Sequence, residues 1–466
     1  MKHTTTPDKQ RMTGILLSTI DAVRSYTGSF AWGPLIQVSR SAILATLKSI
    51  QYGQVIVRDV DGTTTVCGQA PKKGEDAPVT TLDVVRETFW LRLALFADMG
   101  LAESYMLGEV TCPDLTSFFR IFILNREYLS NGSTWTSSIS SAVSGLLRKA
   151  NTLPNALLNI SAHYDISNEM FEAFLSPDMT YSCPIWRPLS QAPDGKDREE
   201  PLEDAQYRKL DRFIDNAKIK ASDHVLEIGT GWGSFAIRAV QRTGCRITSL
   251  TLSREQKELA DRRIADAGLT DNIEVLICDY RALPMPKEGP YDKIVSIEML
   301  EAVGREFLST YFECIHKLLK PDGGIAVFQC ITMPEARYEA YAKGEDFIRK
   351  YIFPGGHLPT VTQLVNSITT GSKGALIVDN IENIGTHYAK TLRLWKDKFM
   401  QNFDAVIRPA LITEHDGMTE ADTALFKRKW EVRTALPELR CINANVSRSI
   451  TSRTVKLALI PEPWAM

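Results

Sequence analysis

The residues in this chain best suited to chemistry lie in one short run, Val225-Leu226-Glu227-Ile228-Gly229-Thr230-Gly231-Trp232-Gly233. An apolar stretch ends in three alternating glycines and passes into a segment of helical pattern. Glycine permits a tight turn and lets the backbone approach a ligand closely. Glycine alternation alone fits a plain turn, or a site for NAD or FAD. Two further features point to S-adenosylmethionine (SAM). Glu227 stands two residues before the first glycine, where a carboxylate can reach a cofactor amino group. Asp279-Tyr280 closes a later apolar run, and an acid beside an aromatic can hold adenine. The second strand of a dinucleotide fold usually ends in an acid that binds the ribose. Here that place reads Thr251-Leu252-Ser253-Arg254-Glu255-Gln256, a hydroxyl and amide set at a helix start. Ser253 followed by Gln256 also fits a helix capping box, so both readings stand.

These residues need a scaffold, and the flanking pattern supplies one. Strand-like runs at 224–229, 245–252, 273–278, 291–299 and 324–331 alternate with helical stretches at 234–241, 254–267 and 306–319. Such alternation predicts βαβ units and a parallel sheet. The fold class expected over residues 156–430 is therefore α/β and Rossmann-like, of the class I SAM methyltransferase type. A charged loop at 194–202 precedes a further helix at 203–217. Residues 1–155 read as a smaller α+β domain with a linker. Helical spacing at 16–50 is followed by a hairpin at 53–68 around Asp61-Gly62, a loop at 69–78 and helical pattern at 89–125. The stretch 129–151 is Ser-, Thr- and Gly-rich, with a weak amphipathic helix at 139–147.

A length of 466 residues implies more than one domain. The net charge of −2 gives no basic field for nucleic acid. Eight scattered cysteines form no CxxC pair and no metal-spaced cluster, so no metal is expected and reduced, cytoplasmic thiols are. No run of 18 apolar residues predicts a membrane span, and the N-terminal residues lack a secretory pattern. Contact with a membrane surface stays open.

Several segments together resemble the cyclopropane-fatty-acid and mycolic acid cyclopropane synthases. They are 162–186 (AHYDISNEMFEAFLSPDMTYSCPIW), 225–236, 247–256, 279–284 (DYRALP), 296–304 (SIEMLEAVG), 318–324, 346–360 (DFIRKYIFPGGHLPT) and 387–395 (HYAKTLRLW). Residues 53–62 and 99–110 resemble the same family's N-terminal, lipid- or substrate-binding part. The resemblance implies cofactor contacts at Tyr181, Ser182, Gly229, Gly231, Gly233, Thr251, Leu252, Gln256, Asp279 and Tyr280, beside Glu227.

The resemblance also implies a reaction: transfer of the SAM methyl group to a cis double bond of an acyl chain, with the resulting cation shielded from water. A bound bicarbonate then takes a proton. Its implied cradle is Cys183, Glu301, the backbone amide of Ile331 and Tyr388. The family's histidine is replaced by Gln329, which donates a hydrogen bond but carries no charge. A cyclopropane and a methyl-branched product both follow from that change. Taken singly, Cys183 reads as a small buried hydrophobe, Glu301 as a helix-start charge and Tyr388 as a core tyrosine. His163, Tyr164 and His357 are expected to be structural, and Phe171, Phe174 and Trp186 core or channel lining.

The implied partners are an unsaturated acyl lipid and a peripheral membrane surface, with pairing of two copies as a further expectation. Residues 431–466 depart from the family, and Pro437 is expected to break the last helix. Two other functions compete: a small-molecule C-methyltransferase on the same scaffold, and an inactive lipid-binding scaffold.

Overall fold

A computed structural model describes residues 32–130, 167–188, 200–438 and 455–461, apart from positions 73, 75, 345 and 416. His163, Tyr164, the linker helix at 139–147 and the loop at 194–199 lie outside the described residues. The chain divides into two units.

The first unit takes the described residues up to 130, with 350–352 and 419–432. Its four-stranded sheet has the order β2-β1-β3-β4. Strands β1 (Gln54–Arg58) and β2 (Thr64–Gly68) form the antiparallel hairpin that Asp61-Gly62 signals. Strand β3 (Val79–Val84) runs parallel to β1, and the short β4 (Val110–Thr111) antiparallel to β3. The expected helical stretch at 89–125 is two helices, Thr88–Met106 and Leu115–Leu124. Gly108, at φ +68°, turns the chain between them.

Buried charge marks this unit. Arg92 donates Nε to Glu109 Oε2 at 2.9 Å and Nη2 to Oε1 at 3.0 Å. Glu103 accepts from the Tyr351 hydroxyl at 2.6 Å and from Lys350 at 3.1 Å. Removing one partner of a buried pair leaves the other charge unsolvated. Arg92→Met should therefore cost about 3–5 kcal/mol, read as a lower midpoint in urea unfolding. An unchanged midpoint would mean that the network contributes nothing.

The second unit holds a seven-stranded sheet of order β10-β11-β9-β8-β5-β6-β7, with every pairing parallel. The strands are β5 (His224–Ile228), β6 (Arg246–Thr251), β7 (Ile273–Ile277), β8 (Lys293–Ile297), β9 (Ile325–Thr332), β10 (Asn380–Asn383) and β11 (Val455–Pro461). The first five match the expected runs to within two residues at either end. Helices Leu202–Ala217, Ser234–Thr243 and Arg254–Asp266 pack apolar faces onto one side, around Phe213, Phe235, Ile247 and Val295. Helices Leu308–Leu318 and Val361–Gly371 cover the other, around Phe312, Phe328 and Ile368. Parallel strands buried on both faces account for the near-continuous apolar runs.

The C-terminal region differs from expectation. Helix Glu420–Glu438 continues past Arg433 and ends one residue beyond Pro437. Strand β11 then inserts between β9 and β10.

Candidate active site

The strand order reverses at β5, whose neighbours are β6 and β8. Ligands of open parallel sheets bind beyond the strands' carboxyl ends at such a point. A cavity of about 360 Å³ opens there. Its walls include Glu227 and residues 229–232 after β5, Gln256 after β6, and Ile297, Glu298 and Met299 after β8. Thr180, Tyr181 and Ser182 line it from the preceding segment, Lys209 from helix Leu202–Ala217, and Phe171 and Phe353 complete the apolar part.

The glycine run makes the turn the sequence implies. Gly229 sits at φ +104°, a region that side-chain-bearing residues rarely adopt. The amides of Gly229 and Thr230 both donate to Leu250 O at 2.9 Å, tying the turn to β6. Gly231 lines the cavity, and Gly233 caps the following helix. Glu227 accepts from the Ser249 hydroxyl at 2.5 Å, and burial pushes its carboxyl up to about 8.

At the end of β6 the two readings coexist. Ser253 accepts from the Gln256 amide and caps the helix, while the Gln256 side chain lines the cavity and accepts from Thr251 Oγ1 at 2.8 Å. Leu252 is 73% exposed and forms no part of the wall. Asp279 and Tyr280 also lie off this cavity. Asp279 is clamped by Arg281 through Nε at 2.9 Å, and Tyr280 packs against Tyr311.

A second cluster adjoins Glu298. Its carboxylate accepts from the Cys183 amide at 2.8 Å and from Gln329 Nε2 at 2.7 Å. Gln329 also donates to Cys183 O at 3.0 Å, so both its hydrogens are engaged within the protein. The side chain expected to face bicarbonate instead ties TYSC to the end of β8. Glu301 accepts from the Ile331 amide at 2.5 Å, the donor assigned by resemblance to bicarbonate. Burial, then the charge of Glu298, raises the Glu301 carboxyl to about 8. Its second oxygen is buried and without a hydrogen-bond partner among the described residues. Burial raises the Tyr388 phenol well above its ordinary value, with the Glu298 charge adding to the effect. Cys183 is fully buried.

Of the other aromatics, Phe174 is core, and Trp186 donates to His387 O at 2.9 Å. His357 is buried; its amide donates to Glu301 O, and burial lowers its imidazole to about 4.

Three site residues were not singled out from sequence. Glu298 lies inside the SIEMLE segment, and its φ of +49° turns its side chain into the cluster. Lys209 is fully buried and donates to Ser182 Oγ at 2.7 Å. Arg433 lies 5.3 Å from the Tyr181 ring and 5.4 Å from that of Phe353.

This wall fits SAM. Two acids, Glu227 and Glu298, and one cation, Lys209, are among the cavity's lining residues, a set that suits an amino acid and a sulfonium. The Thr180 and Tyr181 hydroxyls are buried without a hydrogen-bond partner among the described residues and await a polar ligand.

Residues 152–415 match the family model for mycolic acid cyclopropane synthetase. Tuberculostearic acid methyltransferase UfaA1 of Mycobacterium tuberculosis is 40% identical over 341 residues, 73% of this chain and 75% of that protein. Cyclopropane-fatty-acyl-phospholipid synthase of Escherichia coli is 31% identical over 313 residues, 67% of this chain and 74% of that one. Among solved structures, coclaurine N-methyltransferase bound to N-methylheliamine and SAH has the same fold, with a TM-score of 0.51 and 20% identity over 73% of this chain and 93% of that one. The chain thus belongs to the mycolic acid cyclopropane synthetase family and is a SAM-dependent methyltransferase with a Rossmann-like catalytic unit.

Proposed function

We propose that the protein transfers the methyl group of SAM to the cis double bond of an unsaturated acyl chain in a phospholipid, giving a cyclopropane or methyl-branched chain. The observation that carries this reading is the buried carboxyl pair, Glu298 and Glu301, beside an aromatic-lined cavity. SAM supplies an electrophilic methyl group. The alkene π pair forms the new carbon–carbon bond, the methyl–sulfur bond breaks, and its electron pair stays on sulfur. The adjacent acyl carbon becomes a cation, which Phe171, Tyr181 and Phe353 help to keep from water.

Glu301 then takes a proton through its free oxygen. In this proposal it fills the role that the resemblance gives to bicarbonate, because it already holds the Ile331 amide. A proton lost from the new methyl group closes the ring. One lost from a neighbouring chain carbon leaves a branched alkene, and saturating that branch needs a separate hydride donor. Gly229, Gly231, Glu227, Gln256, Tyr181 and Ser182 hold the cofactor, and Gly233 starts the helix that follows the turn. The first unit contributes the lipid contact, for which the exposed Val38, Val60 and Val66 provide apolar surface. No helix among the described residues is long and apolar enough to cross a membrane, so lipid would be met at a surface.

The test is to express the protein in cells rich in unsaturated phospholipid and analyse the acyl chains by mass spectrometry and NMR. The expected result is a gain of one CH2 per modified chain, with NMR telling ring from branch. Unchanged lipids alongside SAM consumption on a small acceptor would replace this reading with a small-molecule methyltransferase. Bound SAM without turnover would leave a scaffold.

A further inference from the structure

We infer that Lys209 is a cofactor-binding residue, its ammonium pairing with the carboxylate of the methionine end of SAM. The inference rests on the cofactor site described above and adds the group that reads the cofactor's acid. Helix Leu202–Ala217 turns two polar side chains inward, Gln206 and Lys209, both fully buried. Gln206 Nε2 donates to Ser182 O at 2.8 Å and Thr180 O at 3.3 Å, and so fixes the strip of chain that forms one cavity wall. Lys209 reaches the same strip and is the one cationic side chain among the described residues that line the cavity. An ammonium has three hydrogens. One goes to Ser182 Oγ at 2.7 Å, leaving two for a ligand.

A buried lysine is retained at a high desolvation cost unless it gains a partner. The groups whose charge it feels are Glu298, Asp178, Cys183 and Glu227. Glu298 already accepts two hydrogen bonds, and Glu227 is held by Ser249. Glu227 and Glu298 suit the ammonium and sulfonium of SAM, which leaves its carboxylate for the one cation in the lining. Burial lowers Lys209 to about 8, so the ammonium is still the main form at neutral pH. An anion beside it holds it in that form.

The test compares SAM with decarboxylated SAM, which lacks only the carboxylate, by calorimetric titration of the full chain. Wild-type protein should prefer SAM by roughly ten- to a hundredfold, the scale of a charge-assisted hydrogen bond. Lys209→Met should lose that preference, with decarboxylated SAM bound as by wild type. Lys209→Arg should keep part of it. Equal weakening of both ligands by Lys209→Met would show a merely structural lysine and overturn the proposal. So would unchanged SAM affinity. If Lys209→Met does not fold, the wild-type preference decides: equal affinity for the two ligands rejects the pairing. Wild-type protein that binds neither ligand would overturn the cofactor site itself, a distinguishable failure.

Discussion

Replacing Gly229 with valine should weaken SAM binding more than a hundredfold while leaving a folded protein. The reason is backbone geometry. At φ +104° a β-branched residue is strained, at a cost of about 1–3 kcal/mol. A Cβ built there stands 3.4 Å from Met299 Cβ, ordinary contact, so packing alone would tolerate it. The turn must therefore rotate to relieve the strain. Rotation withdraws the Gly229 and Thr230 amides from Leu250 O and moves the wall that includes Gly231. The sheet lies behind the turn, so circular dichroism should be nearly unchanged. Calorimetric titration reads the affinity, and retained binding would show that the turn does not shape the cofactor pocket.

The second large effect is expected at Glu301. Glutamine can still accept from the Ile331 amide, so Glu301→Gln keeps the local fold but loses the base. Turnover should fall about 10²- to 10⁴-fold, the usual contribution of a general base. SAM affinity should hold, because Glu301 does not line the cofactor cavity. The pH profile is a second readout. The base works ionised and its carboxyl lies at about 8, so wild-type turnover should rise with pH through that value. The variant should lose the rise. Stability runs the opposite way. The folded state holds this proton more tightly than the unfolded chain between about 4.5 and 8. Glu301 thus favours folding at acid pH, and its contribution declines as pH climbs through that window. Glu301→Gln should flatten the slope. Unchanged turnover together with an unchanged profile would remove Glu301 from the chemistry.

Much of the second unit was legible in the sequence because buried parallel strands leave strong marks. Runs such as those of β5 and β9 are largely apolar and buried on both faces, and each is bounded by a glycine, Gly229 after β5 and Gly324 before β9. The helical pattern at 89–125 does not show the break within it, because only Gly108 and Pro113 mark the turn and two-residue strand that part the two helices. The candidate site was legible where motif and backbone coincide, at Glu227, Gly229 and Gln256. Lys209 was hidden because helical periodicity assigns a lysine to the wet face, and only packing shows one turned inward. Glu298 was hidden because its left-handed backbone is uncommon for glutamate and sets where its carboxylate goes. Strand β11 follows β10 by more than seventy residues, and no local pattern announces where it pairs.

The acids packed around the cavity also bear on how long the protein lasts. Glu227, Glu298 and Glu301 are held away from water, and each resists losing its proton. Ligand-free protein thus carries a standing strain that grows toward alkaline pH. A cationic cofactor relieves part of it and binds only the folded state, raising stability in proportion to the logarithm of its concentration. Supply of the methyl donor would then govern the enzyme's abundance as well as its rate, since chains left without it open more often to proteolysis.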